Sequence, residues 1–284
     1  MMKKKKQALA AVLPALAAAA ALVALFAGTV IAGAAEDAVE RHDLKVVTYN
    51  VCGLPDLFTY DRNLAQMKKR FDYIGEKLNA YDIIGLQEMF VGERSRIESA
   101  LGKYFVGHGT DTGSALKFGS GVYTFSRWPI SKIHYEEWRV SEGPDSLSHK
   151  GFVMVTTHLG GGLDMDVYNL HAQAGGRRGL GVDNMKQLVE AMEFLSFGGG
   201  RPVLLIGDFN CEFWDFQCAE FVKNSSADVV YRDQQGVDHI FYHENGSGWK
   251  IKVLDHKAVF TEKLGGRLVS DHNGFEVNFR FEKE

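Results

Sequence analysis

The sequence is poor in cysteine and proline, and it lacks the short motifs that mark most zinc sites. It has three cysteines and five prolines among 284 residues, with neither a CxxC pair nor an HExxH segment. A structural zinc site is therefore not expected. Three cysteines cannot form a disulfide framework, so we expect Cys52, Cys211 and Cys218 to be buried thiols. Export would permit one bridge, and whether Cys211 and Cys218 form it stays open.

The chain also lacks an excess of positive charge. It has 32 basic and 36 acidic residues, for a net charge of −4. Without Lys3 to Lys6, 28 basic residues face the same 36 acidic ones. This balance disfavours a protein that binds nucleic acid through a broad basic surface, but it is compatible with an enzyme that touches a few phosphates.

Long apolar runs are confined to the N-terminal segment. Lys3 to Lys6 precede an uncharged, alanine-rich run over 7–35, and Ala32-Gly33-Ala34 fits a signal peptidase site. The run is also long enough to span a bilayer, so a cleaved signal peptide and an uncleaved anchor are both open. We expect residues 1–34 to be this segment and residues 35–284 to be one exported domain, periplasmic, secreted or membrane-anchored.

The body alternates strand-like apolar runs with two amphipathic helices. Helices are predicted over 64–78 and 182–195, where apolar residues recur every three or four positions. Strands are predicted at 45–49, 83–86, 104–107, 120–126, 132–140, 150–158, 165–171, 202–206, 238–242, 250–260 and 275–281. There is no internal repeat and no long linker. The pattern indicates one α/β domain richer in strand than helix, with its topology left open.

Polar side chains recur where these strands end or begin. They are Asn50, Glu88, His171, Asp208, Asn210, Asp238, Asp271 and His272. Each alone is more simply a turn former or a surface residue. Together they form the set of oxygen and imidazole groups expected at a hard-cation site with acid–base partners. Mg²⁺ needs only one or two carboxylates beside a substrate phosphate, and Glu88 with Asn50 meets that need; Mn²⁺ is the alternative.

Several short motifs occur in a characteristic order. They are Tyr49-Asn50, Leu86-Gln87-Glu88, Ser120-Gly121-Val122, Asn169-Leu170-His171, Gly207-Asp208-Phe209-Asn210, Asp238-His239-Ile240 and Ser270-Asp271-His272. The ordered set resembles the endonuclease/exonuclease/phosphatase superfamily, the DNase I-like fold, across essentially the whole body. This resemblance implies a four-layer α/β/β/α sandwich, with two packed mixed β-sheets and the site at one edge.

Within that superfamily the chain looks most like neutral sphingomyelinases. The similar segments are Asn50-Val51-Cys52-Gly53-Leu54-Pro55, the run from Gly119 to Ile130, Lys150-Gly151, and His171-Ala172-Gln173-Ala174. Two features depart from that family. Leu170 stands where it usually has threonine, and the long hydrophobic β-hairpin of some secreted bacterial members is missing.

The resemblance implies a role for each site residue. Glu88, helped by Asn50, would hold Mg²⁺ against a phosphate oxygen, and Asp271 would support the metal. His272 would be the general base, oriented by Asp238. The remaining roles fall to four residues: Asp208 and Asn210 orient water and phosphate, His171 donates to the phosphate or leaving group, and Ser120 binds substrate.

A few residues have competing interpretations. His158 also lies in a family-like Thr-His-Leu segment, but we expect it to be a strand-end residue. Lys150 is expected to bind phosphate, with a solvated surface lysine as the alternative. Asp164 and Asp166 are expected to be turn residues of a glycine-rich hairpin. His239 should face away from Asp238, because neighbouring strand residues point to opposite sides.

The leading functional prediction is an exported, Mg²⁺-dependent phosphodiesterase that releases the headgroup of a sphingomyelin-like phospholipid at a membrane surface. A nuclease acting on nucleic acid, or a sugar or inositol phosphate phosphatase, is the alternative on the same scaffold. A catalytically inactive exported binding module ranks lower, because Glu88, Asp208, Asp271 and His272 are all present. No obligate protein partner is expected.

Overall fold

Strand formation begins at Arg41, and this strand becomes buried on both faces from Val46 to Asn50. A computed structural model describes residues 40–55, 63–111, 117–174, 178–229 and 236–284, and the described part of Glu40–Glu284 forms one compact unit. The predicted signal or anchor segment lies outside the described residues. Among those residues, no helix combines the length and apolar character needed to cross a bilayer.

The described residues contain four α-helices and fourteen strands. The helices are α1 (Met67–Leu78), α2 (Ser95–Ala100), α3 (Arg178–Leu195) and α4 (Phe216–Ser225). The strands are β1 (Arg41–Asn50), β2 (Ile83–Gln87), β3 (Phe105–His108), β4 (Tyr123–Ser126), β5 (Ile130–Glu137), β6 (Gly151–Gly160), β7 (Leu163–His171), β8 (Val203–Asp208), β9 (Asp228–Val229), β10 (Asp238–His243), β11 (Trp249–Val259), β12 (Lys263–Leu264), β13 (Arg267–Leu268) and β14 (Gly274–Lys283). Two 3₁₀ turns, Gly92–Arg94 and Gly143–Leu147, complete the set.

Two six-stranded mixed sheets are formed. The first has the order β11-β14-β1-β2-β4-β3 and the second β5-β6-β7-β8-β10-β9, while β12 and β13 form a separate short hairpin. In each sheet one central pair is parallel, β1 with β2 and β7 with β8. A helix connects each parallel pair, because parallel neighbours require a crossover. These two crossovers are α1 and α3.

The core has three apolar layers, which confirms the predicted four-layer sandwich. Side chains such as Val46 and Ile206 pack between the two sheets. On the outer face of the first sheet, Val47 packs with the buried side of α1. On the outer face of the second sheet, Leu205 packs with residues of α3, including Leu188. Neighbouring strand residues thus enter different layers, as the two-residue period of a strand requires.

The sequence predictions differ from the structure at a few elements. The first helix begins at Met67, because Leu64 pairs with Leu268 instead. The short α2 and α4 were not predicted. The turn prediction for Asp164 and Asp166 was wrong, since both lie within β7.

The turn prediction for Asp166 was wrong because its ion-pair partner is distant in sequence. Asp166 is fully buried and accepts hydrogen bonds from Thr156 at 2.6 Å and from Arg201 at 2.9 and 3.1 Å. A buried carboxylate with these partners is stable inside a strand. Asp164 pairs with His158 at 2.7 Å, on the same hairpin.

Candidate active site

The two sheets bring the predicted polar residues to one edge of the sandwich. Asn50 ends β1, His171 ends β7 and Asp208 ends β8, while Asp238 opens β10. In the second sheet Asp208 is aligned with His171 on one side and with Asp238 on the other. The carboxyl ends of parallel strands and the start of an antiparallel neighbour therefore meet, as the sequence predicted.

His272 lies at the centre of this cluster. Its Nδ1 is 2.9 Å from Asp238 Oδ2, and its Nε2 is 3.8 Å from Asp208 Oδ2. The hydrogen bond to Asp238 places the proton on Nδ1 in the neutral ring, which leaves Nε2 as the acceptor. The His272 side chain is 18% exposed, whereas Asp208 is buried. The imidazole therefore has one anchored nitrogen and one that faces the site.

The charges of this cluster shift its proton affinities. Burial alone would lower the pKa of His272, but the carboxylates of Asp238, Asp208 and Asp271 outweigh it and raise that pKa to about 10. Burial, reinforced by the charge of Asp238, raises the pKa of Asp208 to about 6. An acidic group that resists ionisation and a base that holds its proton are typical of catalytic clusters.

Asn50 links two carboxylates. Its Nδ2 donates to Glu88 Oε1 at 3.1 Å and to Asp208 Oδ2 at 3.0 Å. Its Oδ1 accepts the Cys52 backbone N–H at 3.0 Å. The amide oxygen is therefore turned away from the carboxylates, so this geometry makes Asn50 a positioning residue for Glu88 and does not support the prediction that it is a direct metal ligand.

Glu88 has the features expected of a cation ligand. Its φ of 60° lies in the left-handed region, which is uncommon for a residue with a side chain and is often retained at functional sites. Its Oε2 is buried and makes no hydrogen bond within the part of the chain that the structure describes. Burial raises the pKa of its carboxyl, with the charge of Lys150 opposing the shift. A buried, unsatisfied carboxylate oxygen fits a bound divalent ion.

The donor atoms of Asp208, Asp238 and His272 also lie within 4.8 Å of one another. Because Asp238 Oδ2 is already bonded to His272, this group suits proton transfer better than metal binding. Glu88 remains the first candidate for a metal ligand. Asp271 lines the same cavity, and its role as a second ligand stays a prediction.

His171 and Lys150 contribute one neutral and one charged donor. His171 is buried, with Nε2 3.4 Å from Asp208 Oδ2. Burial, together with the charge of Lys150, lowers its pKa well below the usual value, so the ring is neutral. Lys150 is buried too, and its Nζ lies 2.6 Å from Asp145 Oδ1. The surface-lysine alternative was therefore wrong, although Asp145 was not singled out from the sequence.

These groups line a cavity of about 440 Å³. Its polar lining residues, together called the polar floor, are Glu88, Asp145, Ser148, Lys150, His171, Asp208, Asn210, Asp271 and His272. Its apolar lining residues, together called the apolar wall, are Leu54, Phe90, Phe118, Pro144, Leu147 and Ala174. A wider cleft of about 800 Å³ lies beside α1, but its lining has no imidazole and one carboxylate, Glu93. The smaller cavity is therefore the candidate active site.

Some predicted residues lie elsewhere. Ser120 is buried outside the cavity lining, where its hydroxyl accepts the Val122 backbone N–H at 3.2 Å, so it shapes the turn before β4 and its assignment to substrate binding is corrected. His158 pairs with Asp164, away from the cavity. Asn210 lines the cavity, but its Nδ2 donates to the Ala172 carbonyl at 3.0 Å.

The apolar wall was missed by sequence reasoning. Phe90 and Phe118 lie with ring centroids 6.0 Å apart, yet neither belongs to a periodic pattern. No signal marks them, because they come from loops that follow different strands. Asp145 carried a weak signal, since it stands five residues before Lys150 and at a Gly-Pro turn.

Comparison with known proteins identifies the family. The sequence profile of the Endonuclease/Exonuclease/phosphatase family matches residues 47–272. The chain belongs to this family. The curated sphingomyelinase of Mycobacterium bovis is 26% identical over 271 residues, which cover 84% of this chain and 53% of that protein. The chain thus spans about half the length of the curated relatives it matches.

Solved structures share the fold. A mutant of the beta toxin of Staphylococcus aureus with bound magnesium ions has a TM-score of 0.66 at 20% identity, covering 83% of this chain and 99% of that one. Sphingomyelinase C from Streptomyces griseocarneus has a TM-score of 0.65 at 17% identity, covering 84% and 99%. The predicted DNase I-like fold and the resemblance to sphingomyelinases are confirmed.

Proposed function

We propose that this protein is a Mg²⁺-dependent phosphodiesterase that releases the headgroup of a sphingomyelin-like phospholipid. The observation that carries the proposal is the meeting of Glu88, Asp208 and the His272–Asp238 pair at one cavity. The proposal is also supported by the 26% sequence identity with curated sphingomyelinases, which extends over about half of the length of each of those proteins.

The proposed reaction uses water as the nucleophile. His272 Nε2 accepts the proton of a water held beside Asp208, while Asp238 fixes the ring and stabilises the imidazolium that forms. Lys150 stabilises negative charge on the phosphoryl oxygens. His171, being neutral, donates a hydrogen bond to the phosphate or to the leaving oxygen. Each of these steps uses a side chain that faces the cavity, or a side chain that positions such a residue.

Glu88, supported by Asp271, would hold the divalent ion. When bound, such an ion would neutralise charge on the phosphoryl group, and its positive charge would lower the pKa of His272 toward the range of a working base. The unsatisfied Glu88 Oε2 is the observation that fits this ion. Carboxylate oxygen favours Mg²⁺, with Mn²⁺ as an alternative.

The apolar wall favours a lipid substrate. A phosphodiester bound to the polar floor would lie against Leu54, Phe90, Phe118, Pro144 and Leu147. A nucleic-acid strand would instead gain from a basic surface, and the chain has more acidic than basic residues. A nuclease on the same scaffold is therefore the weaker proposal.

The test is a substrate panel assayed with Mg²⁺ and again with excess chelator. The panel contains sphingomyelin, phosphatidylcholine, an inositol phosphate and plasmid DNA, and each is assayed with the wild type, Glu88→Gln and Glu76→Gln. Glu76 is an exposed residue of α1 and serves as the control. We expect Mg²⁺-dependent release of phosphocholine from sphingomyelin, lost in Glu88→Gln and kept in Glu76→Gln. Cleavage of DNA without lipid hydrolysis would instead support the nuclease.

We also infer that the domain is exported, with residues 1–34 as a signal peptide or anchor. The support is the basic Lys3–Lys6 stretch followed by the long alanine-rich run. Fractionation of expressing cells, with N-terminal sequencing of the exported product, tests this inference. A mature N-terminus at Ala35 would indicate cleavage, an intact N-terminus in the membrane fraction would indicate an anchor, and cytoplasmic protein would contradict export.

A further inference from the structure

Behind the catalytic edge lies a second buried group of reactive side chains. Cys211 directly follows Asn210, Cys218 lies in the first turn of α4, and His239 directly follows Asp238. All three are buried, and one donor atom from each lies within 4.8 Å of the others. The two thiol sulfurs are 2.9 Å apart. None of these groups faces the cavity or takes part in the proposed hydrolysis.

The histidine is arranged as a base for this pair. Its Nε2 lies 2.7 Å from the Cys211 carbonyl oxygen, which can only accept a hydrogen bond, so Nε2 carries a proton. A hydrogen bond from Cys211, supported by one with His239, lowers the pKa of the Cys218 thiol to about 6. The same contact with Cys218 raises the pKa of Cys211. The contact with His239 makes Cys218 the candidate for the attacking sulfur, with Cys211 as its partner.

A zinc ion accounts less well for this geometry. Two thiolates bound to one tetrahedral zinc at about 2.3 Å are separated by roughly 3.7 Å. The observed separation of 2.9 Å is shorter, and it lies between that value and the length of a disulfide bond, about 2.05 Å. Structural zinc sites also use four protein ligands, and three are present in this group. The arrangement favours bond formation between the sulfurs.

We propose that Cys211 and Cys218 form a reversible disulfide, with Cys218 as the attacking sulfur and His239 as the group that holds its proton. The oxidant is an external disulfide. The Cys218 thiolate attacks one sulfur of that disulfide, forms a mixed disulfide and expels the other half as a thiolate, which takes up the proton that His239 held and leaves the imidazole neutral. Cys211 then loses its proton to His239 or to solvent and attacks Cys218 Sγ. The internal bond forms and a second external thiol leaves, so one disulfide is consumed and one is made.

In this proposal the external disulfide reaches the buried pair through local opening of residues 212–217, which include the start of α4. The six residues between the cysteines include Trp214 and Phe216, and each of these is 61% exposed. A loop whose large apolar side chains lie in solvent has little buried surface to hold it closed. Once closed by the bond, the loop is fixed between Asn210 and α4. The bond therefore restrains the backbone next to Asn210, which lines the cavity.

The test uses the full chain and oxidised glutathione as the external disulfide. After oxidation, free thiols are alkylated in denaturant and peptides are mapped by mass spectrometry. We expect one internal link between Cys211 and Cys218, with Cys52 still alkylated. We also expect dithiothreitol to reverse the link, and the oxidised protein to melt about 5 °C higher, because the bond restricts the unfolded chain.

Variants separate the roles of the two thiols. Cys211→Ser should accumulate glutathione on Cys218, whereas Cys218→Ser should react at least tenfold more slowly. Cys52→Ser is the matched control, and it should form the link at the wild-type rate. Alkylation of all three thiols after oxidation would overturn the proposal, as would a link that includes Cys52. Stoichiometric zinc in the purified protein, whose removal makes the two thiols reactive, would also overturn the proposal. If a variant fails to fold, the peptide map of the wild type still decides.

Discussion

Gln87 and Asn169 join the two sheets through a hydrogen bond in the middle of the sandwich. Gln87 Nε2 donates to Asn169 Oδ1 at 2.7 Å, and both side chains are fully buried. Asn169 Nδ2 donates in turn to the Tyr123 carbonyl at 2.8 Å. Gln87 immediately precedes Glu88, and Asn169 lies two residues before His171. This contact therefore ties together the two strand ends that supply those groups.

Replacing Asn169 by alanine should weaken both the fold and the site. The change removes the buried hydrogen bond from Gln87 Nε2, which keeps only Thr48 Oγ1 as acceptor, and the one from Asn169 Nδ2 to the Tyr123 carbonyl. Their loss costs about 1–3 kcal/mol of unfolding free energy. Urea denaturation followed by fluorescence measures the loss. Asn224→Ala, on the exposed side of α4, is the control and should leave the midpoint unchanged. An unchanged midpoint for Asn169→Ala would show that the link between the sheets contributes little.

Removing the imidazole of His272 should abolish most turnover. We expect His272→Ala to lower kcat by at least ~10²-fold, because the variant loses the imidazole that Asp238 orients as general base. Asp238→Asn should also lower kcat, since the ring would lose its charged partner. His158→Ala, which alters a pair outside the cavity, should keep the wild-type rate. Steady-state kinetics on the preferred lipid tests this prediction. A larger loss of kcat in His158→Ala than in His272→Ala would refute the assignment of His272 as the general base.

Glu88→Gln should raise the stability of the metal-free protein and abolish its response to Mg²⁺. Burial raises the pKa of Glu88, so its ionised form opposes folding at neutral pH when no cation is bound. The variant should therefore melt at a higher temperature than the wild type in excess chelator. Added Mg²⁺ should raise the melting temperature of the wild type and leave that of the variant unchanged. Calorimetry with and without Mg²⁺ tests both statements, and an equal Mg²⁺ response in the two proteins would remove Glu88 from the metal site.

The metal-free protein should lose stability as the pH rises from about 6.5 to 10. The pKa of His272 is about 10 in the fold, above its ordinary value of 6.5. Protonated His272 therefore stabilises the fold fully below pH 6.5, and this contribution is lost as the pH passes through 10. Titration of the ring by NMR in chelator measures the pKa, and Asp238→Asn should lower it. A ring that titrates near 6.5 would contradict this electrostatic picture.

The periodic patterns predicted one α/β domain richer in strand than helix, and polar residues at strand ends identified Glu88, Asp208 and His272 as site candidates. The four layers and the edge of the site came from the resemblance to a known family, because local periods do not fix how strands are ordered in sheets. The sequence could not give the orientation of the Asn50 and Ser120 side chains, because that orientation depends on their neighbours in the fold. Asn50 Oδ1 faces Cys52, and Ser120 faces its own turn.

The remaining errors concern partners that are far apart along the chain. Asp166 looked like a turn residue because nothing near it in sequence reveals Arg201, which binds it from 35 residues away. Phe90 and Phe118 of the apolar wall were missed for the same reason, because they meet only after the loops that follow different strands converge. Such contacts depend on tertiary structure, and no local period encodes them.

The division of the site between the two sheets has a consequence for how activity appears during synthesis. The first sheet brings Glu88 and His272 to the edge, and the second brings His171, Asp208 and Asp238. His272 precedes β14, and the pairing of β14 with β1 fixes this segment in the first sheet. For the proposed hydrolase we therefore expect a nascent chain that lacks β14 to be inactive, with turnover appearing only when that strand docks.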